Sequence, residues 1–157
     1  MKKNMSLADA DEFGALLLKC IGRFIGPHRA EIAGSVRRRE PVVGDIDLLM
    51  ECELVELLKI PGMKMLHGGG MQGKYEWKGV FIDAWHVNPG TWGSMLVCKT
   101  GPKEHVIAYA RIAQGMGMKL SPYGLYDTLG KIIASETEEE IYAALGKQCK
   151  HPSERGR

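Results

Sequence analysis

The sequence predicts an α+β protein, with strands concentrated in residues 29–87 and helices dominating after residue 90. Three observations carry that prediction. Leu7, Ala10, Phe13, Leu16, Leu17, Cys20, Ile21 and Phe24 recur at helical spacing. The runs "AEIAG", "DIDLLMEC", "MQGKYEWK" and "VFIDAWHV" are short and bounded by turn residues, as strands are. From "TWGSMLVC" onward the pattern becomes helical again. A chain of 157 residues makes one compact domain or two small subdomains. Asn88-Pro89-Gly90 is the natural break, giving subdomains 1–90 and 91–157.

The first helix starts at Ser6, an N-cap type, with Asp9, Asp11 and Glu12 in its first turns where the helix dipole favours acids. Gly26-Pro27 ends it. "AEIAG" leads into Gly34-Ser35, and Pro41 and Gly44 bracket the link into "DIDLLMEC". "ELVELLK" reads as a short helix closed by Pro61-Gly62, and "HGGG" at 67–70 as a flexible connection. Lys78-Gly79 is the turn between the next two strands. Pro102 suits the first turn of the helix "PKEHVIAYARIAQ", whose Val106, Ile107, Tyr109 and Ile112 are expected to pack inward. "KLSPYGLYD" reads as a loop with a small hairpin. Ser135 and Glu138 form a capping box before a last helix ending at Gly146, and the tail "KHPSERGR" is polar.

Composition narrows the function classes. The net charge of +2 neither demands nor opposes a nucleic-acid partner, but three of the eight arginines are clustered at Arg37, Arg38 and Arg39. The four cysteines form no C-x-x-C pair, which argues against a zinc ribbon and provides no disulfide framework. No run approaches the ~18 apolar residues of a membrane span, and the N-terminus lacks the apolar core of a signal peptide. A cytoplasmic or host-cell intracellular protein with reduced thiols is expected.

The chemistry sits in "GSVRRREPVVGDIDLLM", residues 34–50. On a strand, residues i and i+2 face the same way about 6.5–7 Å apart, so Asp45 and Asp47 aim two carboxylates together while Ile46 and Leu48 face a core. Two such anions repel unless a cation neutralises them, and hard oxygen ligands favour Mg²⁺ or Mn²⁺ over zinc. Asp83 stands among apolar residues in "GVFIDAWHV", where an unpaired carboxylate is costly, and it joins the pair if its strand lies beside theirs. Three carboxylates from two strands suit a two-metal site. A D-x-D pattern alone is more often a solvated face. Gly34-Ser35 is a side-chain-poor turn able to face an anion. If a short helix starts at Ser35, Arg37 and Arg38 fall in its first turn, where only a bound anion such as a triphosphate would compensate them; a solvent-exposed basic loop is the plain alternative. Lys103, His105 and Arg111 either meet the phosphates of a nucleic-acid partner or form the wet face of their helix.

These residues resemble the nucleotidyltransferase signature of family X DNA polymerases, the DNA polymerase beta group: G-S, a basic pair, then G-D-x-D ten residues after the first glycine, with Gly34 and Gly44 keeping the spacing. "GVFIDAWHV" resembles the strand carrying that family's third carboxylate. "CKTGPKEHVIAYARIAQGMGMKLSPYGLYD" resembles the start of its C-terminal subdomain, and "HPSERGR" its closing segment. The resemblance implies a nucleotidyltransferase palm, a mixed sheet with flanking helices, followed by a small, mostly helical thumb, as in the shortest viral members. It implies a DNA-directed DNA polymerase using two Mg²⁺ ions, with Mn²⁺ able to substitute, on dNTP and gapped or primer-template DNA, as a monomer. By the same resemblance Asp45 and Asp47 bind both metals and Asp83 the catalytic one. Ser35 and Arg38 hold the β- and γ-phosphates, with Gly34 and Gly44 contributing backbone, and Lys99, Thr100 and Gly101 face the nucleotide. The family's basic residue two positions before the third aspartate is Phe81 here, and its aromatic pair before the T-G turn is Cys98-Lys99. A nucleotidyltransferase acting without a template or on another acceptor is the alternative enzyme, and a non-catalytic nucleotide- or nucleic-acid-binding module the alternative class.

Overall fold

The computed structural model describes residues 3–156 and divides into two compact units, Met1–Val87 and Asn88–Arg157. In the first unit β1 (Met5–Ser6) precedes α1 (Leu7–Phe24), whose N-cap Ser6 accepts from the Asp9 amide at 3.1 Å. There follow β2 (Ala30–Ile32), the one-turn helix α2 (Gly34–Arg37), β3 (Val42–Val43) and β4 (Ile46–Met50). A 3₁₀ helix spans Leu54–Lys59, and β5 (Lys64–Gly69), β6 (Gln72–Trp77) and β7 (Val80–His86) complete the unit. β1 pairs with β3; the other strands form a mixed five-stranded sheet ordered β2-β4-β7-β6-β5, in which only β4 and β7 run parallel.

Period-two alternation sorts this sheet into two faces. Ile46, Leu48, Met50, Tyr75, Ile82 and Ala84 are fully buried in one cluster with Ala10, Leu17 and Ile21 of α1. Each large aliphatic chain so buried contributes roughly 1.5–3 kcal/mol. The residues between them, including Asp47, Asp83 and Lys74, therefore face the opposite side. Lys78 (φ 51°) and Gly79 (φ 77°) both take left-handed backbone in the two-residue β6–β7 turn, which pairs Trp77 with Val80.

The expectation of a flexible connection at 67–70 is corrected: His67, Gly68 and Gly69 belong to edge strand β5 and only Gly70 lies beyond it. Gly68 permits this, since a Cβ there would lie 2.7 Å from the Gln72 carbonyl across the tight β5–β6 turn. The helix-breaking look of the glycines hid a strand.

The second unit contains α3 (Trp92–Thr100), α4 (Lys103–Gly115), the hairpin β8 (Lys119–Ser121) and β9 (Gly124–Tyr126), β10 (Ile132–Ala134) and α5 (Glu138–Ala144). β10 adds to the hairpin to give a three-stranded antiparallel sheet. Val97, Ala113, Leu125, Ala134, Ile141, Tyr142 and Leu145 form its core. The Ser135/Glu138 capping box does not form. Thr137 caps α5 by accepting from the Glu140 amide at 3.2 Å, Ser135 donates to the Gly90 carbonyl at 2.6 Å, and Glu138 is buried in an ion pair with Arg155. The polar tail is thus anchored: Arg155 is only 3% exposed. On α4, Ile107 is exposed, contrary to its expected inward packing, while His105 is buried.

Candidate active site

Across strands β4, β7 and β6 the sheet registers align three charged side chains in one row. Asp47 lies opposite Asp83 in the parallel β4–β7 pair, and Asp83 lies opposite Lys74 in the antiparallel β6–β7 pair. Asp45 stands two residues before Asp47. The Lys74 ammonium closes the group, 3.7 Å from Asp83 Oδ1 and 3.9 Å from Asp45 Oδ2, with all three side chains partly shielded from solvent. It also sits 5.2 Å from the centre of the Phe81 ring, within cation–π range.

The Gly34-Ser35 turn abuts this row. The Ala33 amide donates to the Asp47 carbonyl at 2.9 Å, where the β2–β4 ladder ends. Gly34 has φ +59°, and a Cβ on it would lie 1.8 Å from Asp47 Oδ2. The carboxylate therefore packs directly against a backbone that no side chain shields. Ser35 follows, half-buried, and Gly44, also half-buried, precedes Asp45.

The three arginines divide their work. Arg39, at φ +63°, makes a bidentate pair with Asp11 of α1, both N–O distances being 2.7 Å, and its guanidinium holds the Asp11 carboxyl below the usual carboxylate range. Arg38 Nε lies 3.5 Å from Glu40 Oε1. Because α2 is a single turn ending at Arg37 with Arg38 as its C-cap, these cations stand at the favourable end of the helix dipole. Arg38 thus lies past the first turn in which the sequence pattern put it, while Arg37 belongs to the single turn that is both first and last.

Among the described residues no three His, Cys, Asp or Glu side chains converge as ligands of one metal ion. The donor set nevertheless fits Mg²⁺ or Mn²⁺: it is made of hard carboxylate oxygens, and a cation, the Lys74 ammonium, already lies against Asp45 and Asp83.

The other candidates belong to the second unit. Lys99 and Thr100 end α3, Thr100 fully buried, and Gly101 caps it at φ +65°. Burial pushes the neighbouring Cys98 thiol up to about 11, so it is a poor nucleophile at neutral pH. Lys103 and Arg111 are exposed on α4. His105 leaves their company: its Nε2 lies 2.7 Å from the Tyr142 hydroxyl, and burial, then Arg155 and Lys150, push its pKa down to about 4. Sequence reasoning missed Lys74. The signal was present, because a two-residue turn at 78–79 puts Trp77 opposite Val80 and, three pairs further, Lys74 opposite Asp83.

Residues 95–156 match the family model described as DNA polymerase beta thumb. A search of curated proteins by sequence finds no match. Among solved structures, the fold is similar to Leishmania infantum polymerase beta in its ternary P/T complex, with a TM-score of 0.86 and 17% identity, covering 99% of this chain and 77% of that one. It is equally similar to the same organism's polymerase beta in a ternary gap complex, at TM-score 0.86 and 17% identity over 99% of this chain and 71% of that one. The chain thus has a polymerase beta-like fold, and its residues 95–156 match the polymerase beta thumb model.

Proposed function

We propose that the chain is a DNA-directed DNA polymerase of the polymerase beta type, transferring a nucleotidyl group from a dNTP to a primer 3′-hydroxyl in short gaps. The observation that carries this reading is the alignment of Asp47 with Asp83 across a parallel strand pair, with the bare Gly34 backbone against the Asp47 carboxylate. Residues 1–90 serve as the palm and 91–157 as the thumb.

Asp45, Asp47 and Asp83 would hold two Mg²⁺ ions, which when bound supply charge neutralisation at the reacting phosphate and acidify the attacking hydroxyl. Asp83 orients the primer terminus and accepts the proton of its 3′-hydroxyl. That oxygen attacks the α-phosphorus in line, the bond to the bridging oxygen breaks, and pyrophosphate leaves. Ser35 and Arg38 bind the β- and γ-phosphates, the Gly34 and Gly44 backbones border them, and Lys99, Thr100 and Gly101 position the nucleotide. Lys103 and Arg111 meet DNA phosphates.

The test is extension of a gapped duplex against a single-stranded primer, offered each dNTP and NTP in turn. Extension that follows the template base is the expected outcome; equal extension of the single strand points to the template-independent alternative. Asp83→Asn is expected to lower extension by about 10²–10⁴-fold, the usual worth of a positioned proton acceptor. Its Tm should move by no more than about 3 °C, equivalent to about 1 kcal/mol in a chain of this size. Extension at the wild-type rate by that variant would end the proposal.

A further inference from the structure

We propose that Lys74 is the resident counter-cation of the carboxylate cluster, a positioning residue that competes with divalent ions and so sets the site's metal affinity. The inference rests on the polymerase reading above, because it takes Asp45 and Asp83 as metal ligands.

Three observations support it. Lys74 contacts carboxylates on two separate segments, Asp45 before β4 and Asp83 on β7, so one ammonium offsets part of the repulsion between them. Its hold is loose: 3.7 and 3.9 Å exceed the 2.7–3.2 Å of a direct N–H···O hydrogen bond, as suits a group that must yield its place. It also has somewhere to go. A cavity of about 220 Å³ lined by His67, Gly68, Gln72, Gly73, Lys74 and Asp83 opens beside it, and the ammonium already lies 5.2 Å from the centre of the Phe81 ring, a cation–π partner other than the carboxylates. A dication entering among the carboxylates repels the ammonium and drives that swing.

The experiment uses the full chain. Mn²⁺ titration followed by electron paramagnetic resonance should show Lys74→Met binding Mn²⁺ at least threefold more tightly than wild type, and Lys74→Arg binding as wild type does. In EDTA the Tm of Lys74→Met should fall, and saturating Mn²⁺ should raise it by more than it raises the wild type. The unmutated protein provides a measurement that needs no variant to fold: acetylation of Lys74, read by mass spectrometry, should accelerate when Mg²⁺ is added. Unchanged or weaker Mn²⁺ binding by Lys74→Met overturns the proposal, and so does a Lys74 acetylation rate indifferent to Mg²⁺. If either occurs while wild type still extends primers, only the role of Lys74 falls. If wild type neither binds Mn²⁺ nor extends a primer, this inference and the polymerase reading fall together.

Discussion

Gly34 answers to two constraints at once. Its φ of +59° is a left-handed conformation that costs an ordinary residue about 1–2 kcal/mol, and the space a Cβ would take is already held by Asp47 Oδ2, 1.8 Å away. Relief can come only from moving the Asp47 carboxylate or the turn, and either disturbs the geometry proposed to hold metal and phosphate. Gly34→Ala is therefore expected to lower Tm by several degrees and to abolish primer extension. Thermal unfolding and the gapped-duplex assay on one preparation check both halves. A variant of wild-type activity would mean that Asp47 is not needed where it stands. Asp47 and Gly34 were legible in the sequence because a strand's alternation and a fixed spacing are local properties, whereas Asp45, expected on the strand, stands in the bend just before β4. Lys74 was not, because its partners lie across strand pairings that only a counted turn reveals.

At the scale of elements, α4 is held to α5 by a buried polar contact, a 2.7 Å hydrogen bond between His105 Nε2 and the Tyr142 hydroxyl. Burial raises the pKa of that hydroxyl, so it stays protonated. Below pH 6.5 the unfolded histidine takes up a proton, while the folded one resists until about pH 4. The unfolded state thus binds more protons in that window, and stability falls as pH drops through it. Between pH 7 and pH 4.5 the loss from this one group is about 2–3 kcal/mol. Urea unfolding at both pH values measures it, and His105→Gln should show a shallower dependence; parallel slopes would contradict the assignment. Element types were largely readable: α1, its Ser6 cap, β4, β6 and β7 all follow from periodicity and turn residues. The misreadings share one cause, which is tertiary contact overriding local preference. Ser135 is drawn to the Gly90 carbonyl and Glu138 to Arg155, so the capping box has no free members, and the glycines at 68–69 serve a tight strand turn.

Over the whole molecule the net charge of +2 is small, and among the described residues no helix is long and apolar enough to cross a membrane. Any DNA grip must come from placed cations such as Lys103 and Arg111. Three phosphate contacts would weaken binding by roughly 40-fold between 50 and 200 mM salt, from the counterion slope of about −0.9 per contact. Fluorescence anisotropy on a gapped duplex at the two salt concentrations gives the number, and a flat response would count against DNA as the substrate. The buried partnership of Arg155 with Glu138 has a bearing on biosynthesis. The first unit has its whole core in hand once Val87 clears the ribosome, whereas the second holds a sealed carboxylate whose counterpart is translated seventeen residues later. Vectorial synthesis thus orders the two folding events, and the second unit can settle only after its arginine has left the exit tunnel.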